Sequence, residues 1–261
     1  MPVRRIPPSV RSLTGRVAGT KCTGEAAFES TLERDLLLVL EFAPVVVAYE
    51  VQPVSIAYAD ETGRARTYTP DVVIQRRQAD GTVLPSLLCE VKYRTNAKPA
   101  EPDARRALLR TLRAGRRYAR EQGWCFRLLT ERDIRTPYLH NARFLLPFRT
   151  HAARAERLDR LQETLRAAGQ GQGSLAAETL LALLVRDGPC AAQTEYSWYV
   201  PALWHLLATG VLVADYAVPL TMQTRIVHPS AGISAGLAAG PSWLCDPGSA
   251  TKRAVAPAAA R

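Results

Sequence analysis

Two short words hold the residues best suited to chemistry: Thr69-Pro70-Asp71 and Cys89-Glu90-Val91-Lys92. Each lies in a strand-like run. Alternate side chains of a strand share a face, so Glu90 and Lys92 point one way and Val91 points into the opposite, apolar face. If the two strands pair, Asp71 and Glu90 can converge on one cation. Hard oxygen donors of this kind suit Mg²⁺, which keeps several waters and takes one or two carboxylates. Such an ion polarises a phosphodiester and lowers the pKa of a water nucleophile. Lys92 could then orient that water or stabilise charge on the transition state. Phosphodiester cleavage often calls for one more carboxylate. Glu33, near the start of the preceding helix, is the best candidate, with Glu29 one turn earlier as the fallback. A Glu/Lys pair at i, i+2 is common on solvated strands. A Pro-Asp followed by Glu-x-Lys on successive strands, after a Glu-bearing helix, is far more specific and points to a metal-dependent nuclease.

The elements that must position these residues can be read from periodicity. Phe28, Leu32, Leu36, Val39 and Leu40 recur at helical spacing over Phe28–Phe42. Three strand-like runs follow, Val45–Val51, Val54–Tyr58 and Tyr68–Ile74. The second and third flank Asp60-Glu61-Thr62-Gly63, which reads as a hairpin turn. After a polar loop around Asp80-Gly81 come an apolar strand, Leu84–Val91, a long helix, Asp103–Gln122, and a strand, Trp124–Leu129. The order predicts one mixed α/β domain over residues 25–150.

On either side the composition changes. Residues 1–24 carry Arg4, Arg5, Arg11, Arg16 and Lys21 and read as a basic arm, for which phosphate contact is expected. Gly169 to Ser174 is a flexible break and not a phosphate loop, because no GK[ST] follows and no strand leads in. Around it, a helix marked by Leu158, Leu161 and Leu165, helices Leu175–Val185 and Trp198–Thr209, and a strand pair or wing at Gly210–Ala217 suggest a small winged-helix-like domain over 151–227. The last of these helices presents Trp198, Tyr199, Trp204 and His205 but no Arg or Lys, which favours packing or partner docking over base reading. Residues 228–261, Ala/Gly/Pro-rich with a basic end, read as a disordered tail.

The whole chain of 261 residues has 34 Lys+Arg against 24 Asp+Glu, a net charge of +10, which suits a polyanionic partner. Within Asp103–Gln122, Arg106, Arg110, Arg113, Arg117 and Arg120 fall on one face, opposite Leu108, Leu112, Gly115 and Ala119. This stripe is either an ordinary solvated face or a track for DNA phosphates. The apparent lack of acidic partners favours phosphate. Five cysteines, an odd count with no CxxC pair, fit a reducing compartment and argue against a zinc site or disulfide framework. Cys89 reads as a small buried hydrophobe. With no signal peptide and no apolar run long enough to span a membrane, a cytoplasmic protein is expected.

Several runs together resemble the TnsA family, the endonuclease subunits of bacterial heteromeric transposases. They are Phe28-Glu-Ser-Thr-Leu-Glu-Arg-Asp35, Tyr49-Glu-Val-Gln-Pro53, Tyr68-Thr-Pro-Asp71, Glu90-Val-Lys-Tyr-Arg94 and Leu129-Thr-Glu-Arg-Asp-Ile-Arg-Thr-Pro137. The resemblance covers residues ~10 to ~150 in consistent order; the C-terminal half is similar only in layout. It implies a restriction-endonuclease-like, PD-(D/E)xK core and cutting of the 5′ ends of a transposon. It also implies a TnsB-like DDE transposase that cuts and joins the 3′ ends and a TnsC-like AAA+ ATPase that contacts the C-terminal domain. Carried over by position, Glu33, Asp71 and Glu90 are the metal carboxylates and Lys92 the catalytic lysine, with Mg²⁺ as cofactor and Mn²⁺ able to substitute. Some family members have Gln where this chain has Glu90. Beside the site, Gln52 and Tyr93 read as strand neighbours, with Gln52 a possible contact to metal-bound water or phosphate. Two other readings remain at this point: a stand-alone restriction- or repair-type nuclease, and a non-catalytic DNA-binding assembly subunit on the same fold.

Overall fold

The structure, a computed structural model, describes residues 13–168, 174–186, 192–229 and 240–246. A short antiparallel pair, β1 (Gly15–Arg16) and β2 (Ala27–Phe28), leads into helix α1 (Thr31–Phe42). Ser30 caps α1 by accepting from the Glu33 N–H, and Leu32, Leu36, Val39 and Leu40 bury its apolar face. The helix stops at Ala43, where the following Pro44 disfavours a further helical residue.

Strand β3 (Val46–Val51) is followed by a hairpin of β4 (Ile56–Ala59) and β5 (Ala65–Tyr68), then β6 (Val72–Arg77) and β7 (Val83–Val91). The hairpin turn forms as its sequence demands: the Asp60 carboxylate accepts from the N–H groups of Thr62 and Arg64, and Gly63 takes φ +76°. The run Tyr68–Ile74, read from sequence as one strand, is two. Pro70 cannot donate to a ladder, so the chain breaks at Thr69-Pro70-Asp71. Tyr68 stays with the hairpin, and Val72 onward joins the central sheet. Helices α2 (Arg94–Ala97) and α3 (Pro102–Glu121) then carry the chain across to β8 (Cys125–Leu129). The sheet order is β3-β6-β7-β8, antiparallel except for β7 with β8. That parallel step needs a crossover, which α2 and α3 supply.

Period-two alternation sorts the sheet's side chains. Val73 and Leu88 face α3 and the hairpin, packing with Ile56, Tyr68, Ala114 and Ala119. Val72, Ile74, Leu87, Cys89 and Val91 face the other way, onto α1 and the rest of the main core. Where α3 lies closest to the sheet it carries Gly115. A Cβ there would stand 2.6 Å from the Phe126 ring and 3.0 Å from that of Tyr68.

The chain continues through α4 (Glu131–Ile134), α5 (Pro137–Leu145) and a 3-10 turn (Leu146–Thr150) to α6 (Ala155–Ala168), α7 (Ala177–Arg186) and α8 (Ala192–Ala208). Strands β9 (Ser174–Ala176) and β10 (Arg225–Val227) pair antiparallel beside these helices. Gly210–Ala217, expected as a strand pair or wing, instead makes turns, with a single bridge from Val213 to Val227. The flexible break is expected on residues outside the described ones, apart from Ser174, which opens β9. In α8, Tyr199 and Trp204 are buried, and the His205 ring lies 2.8 Å from the Phe148 carbonyl. Trp198 is 40% exposed, with the Arg157 guanidinium 4.6 Å from its ring centre. Packing thus accounts for Tyr199, Trp204 and His205 of α8.

One apolar core runs from α1 and the sheet into α6–α8. Asn141, buried in α5, donates to the carbonyls of Tyr216 and Val218 and accepts from the Leu220 N–H. Phe42, Tyr138 and Tyr216 meet edge to face.

Two expectations about the chain ends need correction. Residues 240–246 are packed: Trp243 and Leu244 are buried, and buried Arg76 donates to the carbonyls of Leu244 and Asp246, each at 2.8 Å, and to Pro85. A guanidinium out of water needs such acceptors; the rest of the expected tail, apart from His228 and Pro229, lies outside the described residues. In the basic arm, Lys21 does not reach out. Its Nζ donates to the Ala43 carbonyl at the end of α1, and the N–H groups of Thr20 and Lys21 donate to Glu41. Arg4, Arg5 and Arg11 lie outside the described residues. No helix among the described residues is long and apolar enough to cross a membrane.

Gly115→Ala is expected to cost about 1–3 kcal/mol by overpacking, or a fall of roughly 2–4 °C in Tm per kcal/mol. Urea and thermal unfolding measure it, and an unchanged stability would mean that α3 can retreat from the sheet freely.

Candidate active site

The pairing of β6 with β7 places Val72 opposite Cys89. The next positions outward are Asp71 and Glu90, which therefore share the face toward α3 and the hairpin. Asp71 sits at the break before β6, held by its own backbone: its N–H donates to the Cys89 carbonyl, and its carbonyl accepts from the Gln52 N–H. Its carboxylate accepts from the Val91 N–H at 2.6 Å. Glu90 is buried, with one oxygen 2.7 Å from the Tyr68 hydroxyl and the other 2.6 Å from Lys92 Nζ.

Glu33 approaches from the first turn of α1. Its carboxylate accepts from the Glu29 N–H and the Ser30 hydroxyl, both at 2.8 Å. Ser30 in turn accepts from the Glu33 N–H, so Glu33 also helps to hold the start of the helix. Ser30, Glu33, Lys92, Tyr93, Asn96 and Leu108 are among the residues lining a cleft of ≈ 370 Å³ between α1 and the start of α3.

The electrostatics are unbalanced. Burial pushes the Asp71 carboxyl well above its ordinary pKa, and the charges of Glu90 and Glu33 push it further, against the Val91 N–H and Lys92. Burial likewise raises Glu33, partly offset by its two hydrogen bonds. Burial would lower Lys92, but Glu90, Asp71 and Glu33 together outweigh it, so the ammonium stays charged. Burial and the neighbouring Glu90 raise Tyr68, which remains a donor. Three carboxylates thus face one ammonium. Hard oxygen donors with surplus negative charge suit a divalent cation. Among the described residues, however, no three His, Cys, Asp or Glu side chains are arranged as a ready-made metal site. Asp71 and Glu90 lie together, while Glu33 is turned to its cap.

The other expected residues divide. On α3, Leu112, Gly115 and Ala119 are buried beneath the arginine stripe. The stripe does have acidic partners, contrary to expectation. Glu61, on the hairpin turn, pairs with Arg110 and lies 3.8 Å from Arg106; Asp103 pairs with Arg106, and Glu121 with Arg117. Glu61 is distant in sequence, so the pairing is invisible on a helical wheel. Arg113 and Arg120 are exposed. Cys89 is fully buried and its thiol is raised by burial.

Two neighbours gain importance. Tyr68, a strand residue by its sequence pattern, fixes Glu90 through its hydroxyl. Nothing in its spacing could reveal this, because the hairpin folds over the sheet. Gln52 has φ +49°, unusual for a non-glycine residue. Its side-chain amide donates to Glu29, and its buried Oε1 has no hydrogen-bond partner. Strain and an unmet acceptor beside paired carboxylates are marks of a functional site.

Asp71→Asn keeps an oxygen for the Val91 N–H and removes one buried charge. Because the folded-state pKa of Asp71 is raised, the folded protein binds a proton that the unfolded chain has released. Stability from this group is therefore lost as pH rises from ~4 through the raised value. The variant is expected to be more stable than wild type near neutral pH by about 0.5–2 kcal/mol, with a flatter pH dependence, in metal-free thermal unfolding. A destabilised variant would mean that the negative cluster is not strained.

Residues 43–131 match the family described as TnsA-like endonuclease N terminal. The match takes in Asp71, Glu90 and Lys92 but not Glu33. No curated protein matches the chain. The mixed sheet with helices on both faces fits a restriction-endonuclease-like fold, and residues 43–131 are similar to a TnsA-like endonuclease domain.

Proposed function

We propose that the chain is the Mg²⁺-dependent DNA endonuclease subunit of a heteromeric transposase. In this reading it cuts the 5′ ends of the transposon while a TnsB-like DDE partner cuts and joins the 3′ ends. The observation that carries the proposal is the meeting of Asp71, Glu90 and Lys92 at one end of the sheet, inside the matched segment. Asp71 and Glu90 would hold the ion, consistent with the one or two carboxylates that Mg²⁺ takes. Glu33 would join them only by releasing its cap. Once bound, the ion, or Mn²⁺ in its place, polarises the phosphodiester and activates water.

The chain's own groups do the rest. Tyr68 holds one oxygen of Glu90, leaving its carboxylate fixed in direction. Lys92, kept protonated by Glu90, cannot serve as a base; it donates to charge developing on the phosphate. Asp71, whose carboxyl is raised by burial, would hold the ion in its deprotonated form, so metal binding would be favoured by rising pH. The helical part beyond residue 150, with its exposed Trp198, is proposed as the surface that meets a TnsC-like AAA+ ATPase, within a cytoplasmic assembly on transposon-end DNA.

The test mixes the chain with its transposase and ATPase partners, labelled transposon-end DNA and Mg²⁺, and scores each strand separately. Asp71→Asn, Glu90→Ala and Lys92→Ala are each expected to lower 5′ cutting at least ~100-fold, while 3′ cutting and joining persist. Mutants that cut like wild type would leave the chain a DNA-binding or assembly subunit. Sequence-specific cutting by the isolated wild-type protein would favour a stand-alone nuclease.

In the same assay, Tyr68→Phe is expected to lower 5′ cutting by about 10-fold or more, with a weaker apparent affinity for Mg²⁺. An unchanged metal dependence would remove Tyr68 from the site.

A further inference from the structure

Beyond Tyr93, which lines the cleft, lies a cluster of arginines that the endonuclease site does not use. Asp35, on α1, is only 1% exposed. Arg34, Arg135 and Arg143 all bond to its carboxylate. They come from α1, from the end of α4 and from α5. One carboxylate against three guanidiniums leaves a surplus of two positive charges. Burial would raise the Asp35 carboxyl, but Arg34, Arg135 and Arg143 together hold it below its ordinary value.

A buried aspartate needs one well-placed arginine, and Arg135 meets that need. It donates from Nε to Asp35 at 2.8 Å and from its second nitrogen to Thr31 and Tyr93, with its guanidinium 5.4 Å from the centre of the Tyr93 ring. Arg143 reaches Asp35 through one terminal nitrogen, and Arg34 through Nε and one terminal nitrogen. The side chains of Arg34, Arg135 and Arg143 are 34%, 40% and 43% exposed. Each keeps N–H donors beyond those given to Asp35, and such forks match the oxygens of a phosphate.

The cluster is continuous with the cleft. The Tyr93 hydroxyl meets Thr31 at 2.8 Å and Arg135 at 3.1 Å, and Tyr93 lines the cleft next to Lys92. We propose that Arg34, Arg135 and Arg143, gathered on the buried carboxylate of Asp35, bind a phosphodiester of the DNA strand beside the one being cut. The anchor fixes the guanidiniums before DNA arrives, so little side-chain freedom is lost on binding. This proposal rests on the reading of the chain as a DNA endonuclease.

The experiment measures binding of a fluorescent duplex as a function of salt. It uses the full chain carrying Asp71→Asn, so that DNA is held but not cut. Arg34→Gln and Arg143→Gln keep a donor for Asp35 and lose the charge. Each is expected to flatten the slope of log affinity against log salt by about one, with Tm nearly unchanged. Arg143→Lys is expected to keep the slope. Arg154→Gln, an exposed residue ahead of α6, controls for net charge and is expected to leave the slope alone. If Arg143→Gln does not fold, Arg34→Gln is read by itself. Slopes that match the Arg154→Gln control would overturn the phosphate site while leaving the nuclease reading intact. If the protein without arginine changes shows no salt-dependent DNA binding, the nuclease reading falls and the phosphate site falls with it.

Discussion

The register between β6 and β7 governs the site. With Val72 opposite Cys89, Asp71 and Glu90 emerge at the same sheet end and on the same face. A slip of one residue would send Glu90 and Lys92 into the apolar layer under α1 and bring Val91 out. The register is therefore enforced by the burial of Ile74, Leu87, Leu88 and Cys89, all almost without exposure. The energy that sets the strand pairing comes from apolar contacts. It also holds two carboxylates closer than their charges would choose.

The surroundings answer that crowding without removing it. Lys92 and the Tyr68 hydroxyl take the two oxygens of Glu90, the Val91 N–H takes one of Asp71, and Ser30 with the Glu29 N–H takes those of Glu33. Each carboxylate is thus directed by a group from a different element. Negative charge remains in surplus, unlike in a satisfied ion pair, and the proposed function assigns that surplus to a bound cation. The placement of Gly115 belongs to the same arrangement. The small residue lets α3 lie against the Tyr68 ring, and Tyr68 in turn directs Glu90. Helix, hairpin and sheet are joined through one phenol.

On the far side of Tyr93 the balance reverses. Around Asp35 the surplus is positive, and around Asp71 it is negative. The positive cluster is anchored on α1 through Asp35 and the negative one lies on β6 and β7, with Tyr93 bonded to Thr31 and Arg135 on the positive side. In the proposed function, an anionic DNA backbone would meet the positive cluster directly and the negative one only through a bound cation.

Much of this was legible in the residues themselves. Strand alternation alone placed Glu90 and Lys92 on one face and Val91 on the other, and helical periodicity marked α1 and α3, because burial imposes those periods locally. The hairpin at Asp60–Gly63 follows from turn chemistry within a few residues. What only the tertiary structure decided involves partners far apart in the chain. Pro70 splits a run that looks continuous, handing Tyr68 to the hairpin and so to Glu90. Glu61 reaches the arginines of α3 across the fold, and Arg135 and Arg143 reach Asp35. Trp243 and Leu244, in a segment whose composition suggests disorder, are kept in place by Arg76, a residue of the central sheet. Local pattern reports which face of an element is buried. It carries no record of which distant charge or ring will meet that face, because chain folding brings those groups together through packing and not through spacing.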